Sequence, residues 1–189
     1  MNKYIALLVC SLAILAGCSK NPTGTPVENE HPPATTVILM MIRVDVDGKA
    51  LDTTNCTVRD TSVIKGKPAL EGNLDLMSGS TYLGRFVTLD ESQTPAKDVT
   101  STIIDEKDGH IFKFAVKENG NPSTVVVISN LDKDSKGLDF GLNFTAITSD
   151  ITKPSDGVIH VILEHHDDGN KAGAQFDTDL DRDFPFSVR

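Results

Sequence analysis

Residues 138–146 read LDFGLNFTA, and apolar side chains alternate there with polar residues or glycine. Neighbouring side chains of a β-strand point to opposite faces, so this alternation is typical of a strand with one buried face. A period of two recurs over most of residues 37–189 and predicts an all-β domain. The other apolar side chains that we expect on inward faces are Phe112, Phe114, Val116, Val125, Val127, Ile159, Val161, Leu163, Phe184, Phe186 and Val188.

Three segments nearer the N-terminus give weaker signals. Residues 37–46 are largely apolar and stop at a turn, so we expect a buried strand there. Residues 70–76 and 82–89 flank Ser78-Gly79-Ser80 and predict a hairpin. Residues 51–67 are polar, and the sequence leaves open whether 56–58 and 62–64 form short strands. The inward face of the first strand is predicted to carry Ile38, Met40, Ile42, Val44 and Val46.

In residues 98–108 a helix competes with a strand. Val99, Ile103 and Ile104 have helical spacing behind Asp98, a candidate N-cap, whereas the threonines favour a strand. We favour a short helix over the end of the sheet.

Seven or eight short strands with at most one short helix predict an antiparallel, immunoglobulin-like β-sandwich, a single domain over residues 37–189. The chain has no Trp and no cysteine pair in this region, so the hallmarks of a true immunoglobulin domain are absent. Pro185 has no N–H to donate, and we expect it at a sheet edge or at a non-bonded position.

The N-terminus has the pattern of a secretory signal. A positive start that includes Lys3 precedes an apolar run over residues 4–15, which is shorter than the roughly 20 residues that a membrane-spanning helix needs. Leu15-Ala16-Gly17-Cys18 resembles the bacterial lipobox. This resemblance implies that residues 1–17 are removed and that Cys18 becomes the first residue, with diacylglycerol on its sulfur and an acyl chain such as palmitate on its amine.

Residues 18–36 are then the lipidated cysteine and its tether. The segment is rich in Pro, Thr, Asn and Glu and is almost free of apolar residues, so we interpret it as a flexible spacer in which His31 is solvated. Ser19 after the cysteine, by resemblance to enterobacterial sorting, implies the outer membrane. The domain would face the periplasm or the cell surface, and the sequence leaves the leaflet open.

The acidic composition excludes one class of partner. Loss of the signal changes the formal net charge from −9 to −10, because Lys3 is the only charged residue removed. Nucleic acids and anionic lipid surfaces need Lys and Arg gathered on one face, and we find no such cluster, so we expect no nucleic-acid partner. We expect a monomer that meets the membrane through its lipid, with a protein or glycan partner left open.

Several segments resemble a group of small bacterial lipoproteins often labelled type 1 periplasmic binding fold. They are Gly109-His110-Ile111-Phe112, residues 70–76, Thr81-Tyr82-Leu83-Gly84, residues 160–168 and Thr178-Asp179-Leu180. The resemblance covers most of the mature chain and implies a secreted β domain, but it carries no catalytic motif.

The densest polar cluster suggests a metal. Histidine with aspartate suits Zn²⁺ and carboxylate oxygens suit Ca²⁺. The spacing does not follow a known calcium loop, and alternate aspartates also occur on solvated strand faces, so both interpretations remain open. The candidate ligands are His165, His166, Asp167, Asp168 and Asp179.

Other candidate sites are weaker. Cys56 is the one thiol left after the signal and Cys18, and no basic residue but Arg59 lies near it in sequence. We interpret His110 as a strand-end histidine that rests on the core. Asp52-Thr53-Thr54 resembles the acceptor of a bacterial O-glycosylation system, which would modify Thr53.

The sequence therefore predicts an outer-membrane lipoprotein with a non-enzymatic binding or structural β-sandwich and no cofactor. The alternative is an envelope domain that binds Ca²⁺ or Zn²⁺ through the His/Asp-rich C-terminal hairpin.

Overall fold

The computed structural model of the protein describes residues 34–167 and 169–189, which belong to one compact unit. Its strands are β1 (Thr36–Val44), β2 (Ala50–Arg59), β3 (Leu70–Gly72), β4 (Leu74–Leu76), β5 (Thr81–Asp90), β6 (Lys97–Asp98), β7 (His110–Glu118), β8 (Asn121–Pro122), β9 (Val126–Ser129), β10 (Asn143–Thr148), β11 (Ser155–His165) and β12 (Asp177–Val188). A single helix, α1 (Thr100–Asp105), occurs in the described ranges. Among these same residues, no helix is long and apolar enough to cross a membrane.

The strands form two sheets. Sheet A has the order β3-β2-β1-β5-β10-β9, with β6 paired to β5, and sheet B has the order β4-β12-β11-β7-β8. All pairings are antiparallel except that of β12 with β4. The predicted all-β sandwich is confirmed: eight of the strands have four or more residues, and the other four have two or three.

Phenylalanines join the two sheets. Phe86 of β5 stacks on Phe112 of β7, with ring centroids 4.8 Å apart, and lies 5.9 Å from Phe184 of β12. Phe144 of β10 makes an edge contact with Phe114 at 4.9 Å. Such offset and edge-to-face arrangements are the favoured geometries of aromatic pairs, so this cluster fixes how the sheets face each other.

The predicted inward face of the first strand is wrong. The side chains of Val37, Leu39 and Met41 are fully buried, whereas Ile38 and Met40 on the other face are partly exposed. A continuous apolar run does not indicate which alternate positions point inward; the pairing does, because Leu39 lies opposite the core residue Phe86. The remaining predicted members are Ile42 and Val44, which are partly exposed, and Val46, which is fully exposed beyond the strand end.

The predicted hairpin of residues 70–76 with 82–89 is also wrong. β3 pairs with β2 in sheet A, and the chain then crosses at Asn73 to sheet B, where Leu74 and Leu76 pair in parallel with β12. Alternation shows that these leucines can share a face, but it shows neither which sheet they join nor that Leu70 is half exposed. Residues 50–59, most of which the sequence left unplaced, form one continuous strand.

The stretch with the clearest alternation is a strand only in its second half. β10 begins at Asn143, although Phe140 and Leu142 are buried as predicted. Gly141 has φ +84°, a left-handed conformation that interrupts a strand, and its N–H donates to Asp132 Oδ1 at 2.8 Å. Residues 138–142 therefore form an irregular segment in which Phe140 and Leu142 fill the core, whereas Leu138, which the alternation also places inward, is 46 % exposed.

The predictions for the remaining elements are largely confirmed. The short helix is present, although its N-cap residue is Val99 and Asp98 instead accepts a hydrogen bond from the N–H of Thr100.

Val127 is half exposed and Val126 takes the inward position in β9. Pro185 pairs with Val158 of β11 on one side of β12. On the other side of β12, the pairing with β4 begins at Phe186, so no strand pairs with Pro185 on that side. The confirmed inward positions in sheet B are Phe112, Ile159, Val161, Leu163, Phe184, Phe186 and Val188.

Candidate functional site

His110 lies buried at the end of sheet B with an oxygen at each ring nitrogen. Its side chain is 1 % exposed, Nδ1 lies 3.1 Å from the backbone oxygen of Glu106, and Nε2 lies 3.0 Å from Asp179 Oδ2. Glu106 is the C-cap residue of α1, so the turn from the helix into β7 fixes the ring. This contact depends on the short helix that precedes the strand.

His165 completes a group of three potential metal ligands. It pairs with His110 across β11 and β7, and the two rings stack with centroids 4.4 Å apart and planes 14° from parallel. Asp179 reaches the pair because β12 has one extra residue here: Leu163 pairs with Leu180, but Glu164 pairs with Thr178. A β-bulge redirects a side chain in this way. The candidate ligand atoms of His110, His165 and Asp179, the His110 cluster, all lie within 4.8 Å of one another.

Of the four predicted ligands that the structure describes, His165 and Asp179 belong to the His110 cluster. His166 is buried beside them but is directed elsewhere, with Nε2 3.2 Å from Glu164 Oε2 and its ring 5.5 Å from that of Phe176. Asp167 is largely exposed, with Oδ1 3.7 Å from His165 Nε2. Asp168 lies outside the described residues.

His110 is the candidate ligand that sequence reasoning missed. His110 was expected to rest on the core, and it is indeed buried. Its ring is also part of the polar cluster. His110 and His165 are 55 positions apart in the sequence, so only the register of β7 against β11 brings them together. The available sequence signal for a polar site was a histidine at the first position of a strand, directly after Gly109.

A cavity of about 370 Å³ adjoins the His110 cluster. It is lined by His165, Asp167, Ala174, Gln175, Phe176 and Asp177. Its carboxylates and the imidazole of His165 make it a polar recess through which a hydrated cation can approach the cluster.

A second polar feature is a buried ion pair between two loops. Lys171 Nζ lies 2.8 Å from Asp134 Oδ2 and donates to the backbone oxygen of Asp139 at 3.1 Å. Burial by itself would raise the pKa of Asp134, but hydrogen bonds from Lys171 and from the N–H groups of Leu138 and Lys136 hold the pKa below its ordinary value. Asp134 therefore closes a turn and connects two loops.

Cys56 and Thr53 lie on β2. The Cys56 side chain is fully buried, and burial raises the pKa of its thiol to about 11, so it is a poor nucleophile at neutral pH. Thr53 is exposed, and its modification remains a prediction.

No protein-family model matches the chain, and its comparison with curated proteins and with solved structures gives no significant match.

Proposed function

We propose that this protein is an outer-membrane lipoprotein, anchored through Cys18, whose β-sandwich binds or scaffolds an envelope partner without catalysis. The observation that supports this most is where the folded domain begins. Thr36 and Val37 are fully buried in β1, and the polar stretch of residues 19–35 separates this strand from the lipobox cysteine. An anchor, a spacer and a domain thus follow one another in the chain.

The length of the spacer suits this arrangement. Eighteen positions separate Cys18 from Thr36. A flexible chain of that length spans about 23 Å on average, and an extended polyproline-like chain about 55 Å. The sandwich would be held a few nanometres from the lipid surface, free to meet a protein or a glycan.

The anchor supplies the membrane affinity in this proposal. Each buried CH₂ contributes about 0.8 kcal/mol, so two or three acyl chains on one residue give stable attachment where one chain binds only reversibly. The acidic domain, with its formal net charge of −9 in the full chain, would add no attraction to anionic lipids.

Cys56 argues against thiol catalysis in the domain. Its sulfur lies 3.7 Å from the backbone oxygen of Gly72, under the cover of β3, and its thiol has a raised pKa. A reactive cysteine needs a lowered pKa and access to solvent, and Cys56 has neither.

Membrane fractionation of the full chain in a Gram-negative host tests the anchor. We expect the wild type to sediment with outer membranes on a density gradient, to resist extraction by high salt and to be released by detergent. Cys18→Ser should carry no lipid and should be missing from the outer-membrane fraction. Cys56→Ala is the matched cysteine control and should behave as the wild type. A wild type that is soluble, or a Cys18→Ser variant that still sediments with outer membranes, would overturn the proposal.

A further inference from the structure

We propose that His110, His165 and Asp179 form a binding site for a divalent transition-metal ion of the Zn²⁺ class. The site goes beyond the lipid anchor and is independent of it, because all three residues belong to sheet B.

The donor set favours zinc over calcium. Two imidazoles and one carboxylate are ligands that zinc accepts, and three protein ligands with one open position are the common arrangement of zinc sites that exchange a water or a ligand. Calcium takes six to eight oxygen ligands. This group of three offers one carboxylate, that of Asp179, and its other two ligands are nitrogens, so it suits calcium poorly.

The second contact of His110 is the one that a metal-binding histidine usually has. Its Nδ1 lies 3.1 Å from the backbone oxygen of Glu106, so this nitrogen carries the hydrogen and donates it to the carbonyl. Such an outer hydrogen bond fixes the tautomer and the ring orientation, and it leaves Nε2 to bind the ion.

The two oxygens around His110 hold its ring from both sides. Glu106 O and Asp179 Oδ2 are both acceptors, and they face the two nitrogens of one ring. With Nδ1 directed at the carbonyl, Nε2 and the carboxylate face each other as two donor atoms that can bind one ion. An ion bound there would also be within reach of His165, whose ring stacks on that of His110.

The distances require one side chain to move. A tetrahedral ion with bonds of about 2.0–2.2 Å holds its ligand atoms roughly 3.4 Å apart, and the candidate atoms here lie within 4.8 Å. His110 and His165 are stacked, so the ring of His165 must turn for its nitrogen to point at the ion. His165 is the more exposed of the two and borders the cavity of about 370 Å³, which gives it the space to turn.

Zinc titration of the full chain, purified in detergent without an affinity tag and treated with a chelator, tests the proposal. We expect one Zn²⁺ per chain by calorimetry and a melting temperature that rises with zinc and returns with EDTA, since an ion that binds only the folded state stabilises it. Mg²⁺ and Ca²⁺ at the same concentration should not produce the shift.

Variants connect the binding to these residues. His165→Gln and Asp179→Asn should each weaken zinc binding by more than about tenfold. His110→Gln tests the buried candidate ligand. If this variant fails to fold, His165→Gln and Asp179→Asn, at the two more exposed positions, decide whether the cluster binds zinc. His160→Gln is the matched control, because His160 lies on the same strand and contacts Asp183 at 2.9 Å outside the cluster. It should bind zinc as the wild type does.

Two results would overturn the proposal. One is a wild-type protein that neither binds Zn²⁺ nor gains thermal stability from it. The other is binding that survives unchanged in both His165→Gln and Asp179→Asn, which would assign the ion to other surface groups. Because Cys18→Ser can be titrated in the same way without detergent, failure of the metal site and failure of the anchor are separate outcomes.

Discussion

At the scale of single residues, the ion pair of Lys171 with Asp134 is the interaction whose loss we expect to cost most. Both side chains are almost completely buried, so Lys171→Ala leaves a carboxylate without its counter-charge and should reduce the free energy of unfolding by about 3–5 kcal/mol. Lys133→Ala is the matched control, since Lys133 forms a half-exposed pair with Asp139 and should cost less than about 1 kcal/mol. Urea denaturation of both variants measures the difference, and equal losses would contradict this account.

The same pair predicts a dependence on pH. The pKa of Asp134 is lower in the folded chain than its ordinary value near 3.9, so the folded state binds fewer protons than the unfolded state in acid. The stabilisation is complete above that ordinary value and is lost as the pH falls through the folded-state pKa. The difference in melting temperature between the wild type and Asp134→Asn should therefore be constant near neutral pH and shrink below about pH 4. A difference that grows in acid would show the opposite sign.

At the scale of elements, the crossing from sheet A to sheet B at Asn73 distinguishes two leucines that the sequence treats alike. Leu74 is fully buried in β4, whereas Leu70 in β3 is 47 % exposed. Leu74→Ala should cost about 2–5 kcal/mol of unfolding free energy, and Leu70→Ala about 0.5 kcal/mol. In the hairpin that alternation alone suggests, both leucines would share a buried face and the two costs would be similar.

The pairing of β5 with β10 predicts a second contrast. Gly84 lies opposite Phe144, and a Cβ at this glycine would come within 2.3 Å of the phenylalanine ring. Gly84→Ala should push Phe144 from its contact with Phe114 and reduce the unfolding free energy by about 1–3 kcal/mol. Arg85→Ala, the outward neighbour, should change it by no more than about 0.5 kcal/mol. Chemical denaturation compares the two, and a stable Gly84→Ala variant would contradict the described packing.

These elements also show how far the sequence determines the structure. Ile159, Val161 and Leu163 could be placed inward because the polar His160 and Glu164 mark the other face of β11. In β1 the charged residue is Arg43 near the strand end, and it lies on the same side as the buried Leu39 and Met41, so it indicated the wrong face. His165 and Asp179 could be proposed together because one loop joins their strands. His110 could not, because its place depends on long-range strand pairing and on a bulge that no local pattern predicts.

At the scale of the whole molecule, the proposed membrane anchor at Cys18 precedes a sandwich that begins at Thr36. The two parts call for different measurements. Stability and the proposed metal binding concern sheets A and B, whereas the proposed location in the cell rests on residues that precede these sheets. The anchor is the central claim, because it decides which partners the domain can meet.

The intact mass of the protein extracted from membranes tests that claim most directly. We expect the mass of residues 18–189 plus a diacylglyceryl group and one acyl chain, and the loss of this lipid mass in Cys18→Ser. A wild-type chain that begins at another residue, or that begins at Cys18 without lipid, would contradict the anchor and indicate a freely secreted β-sandwich.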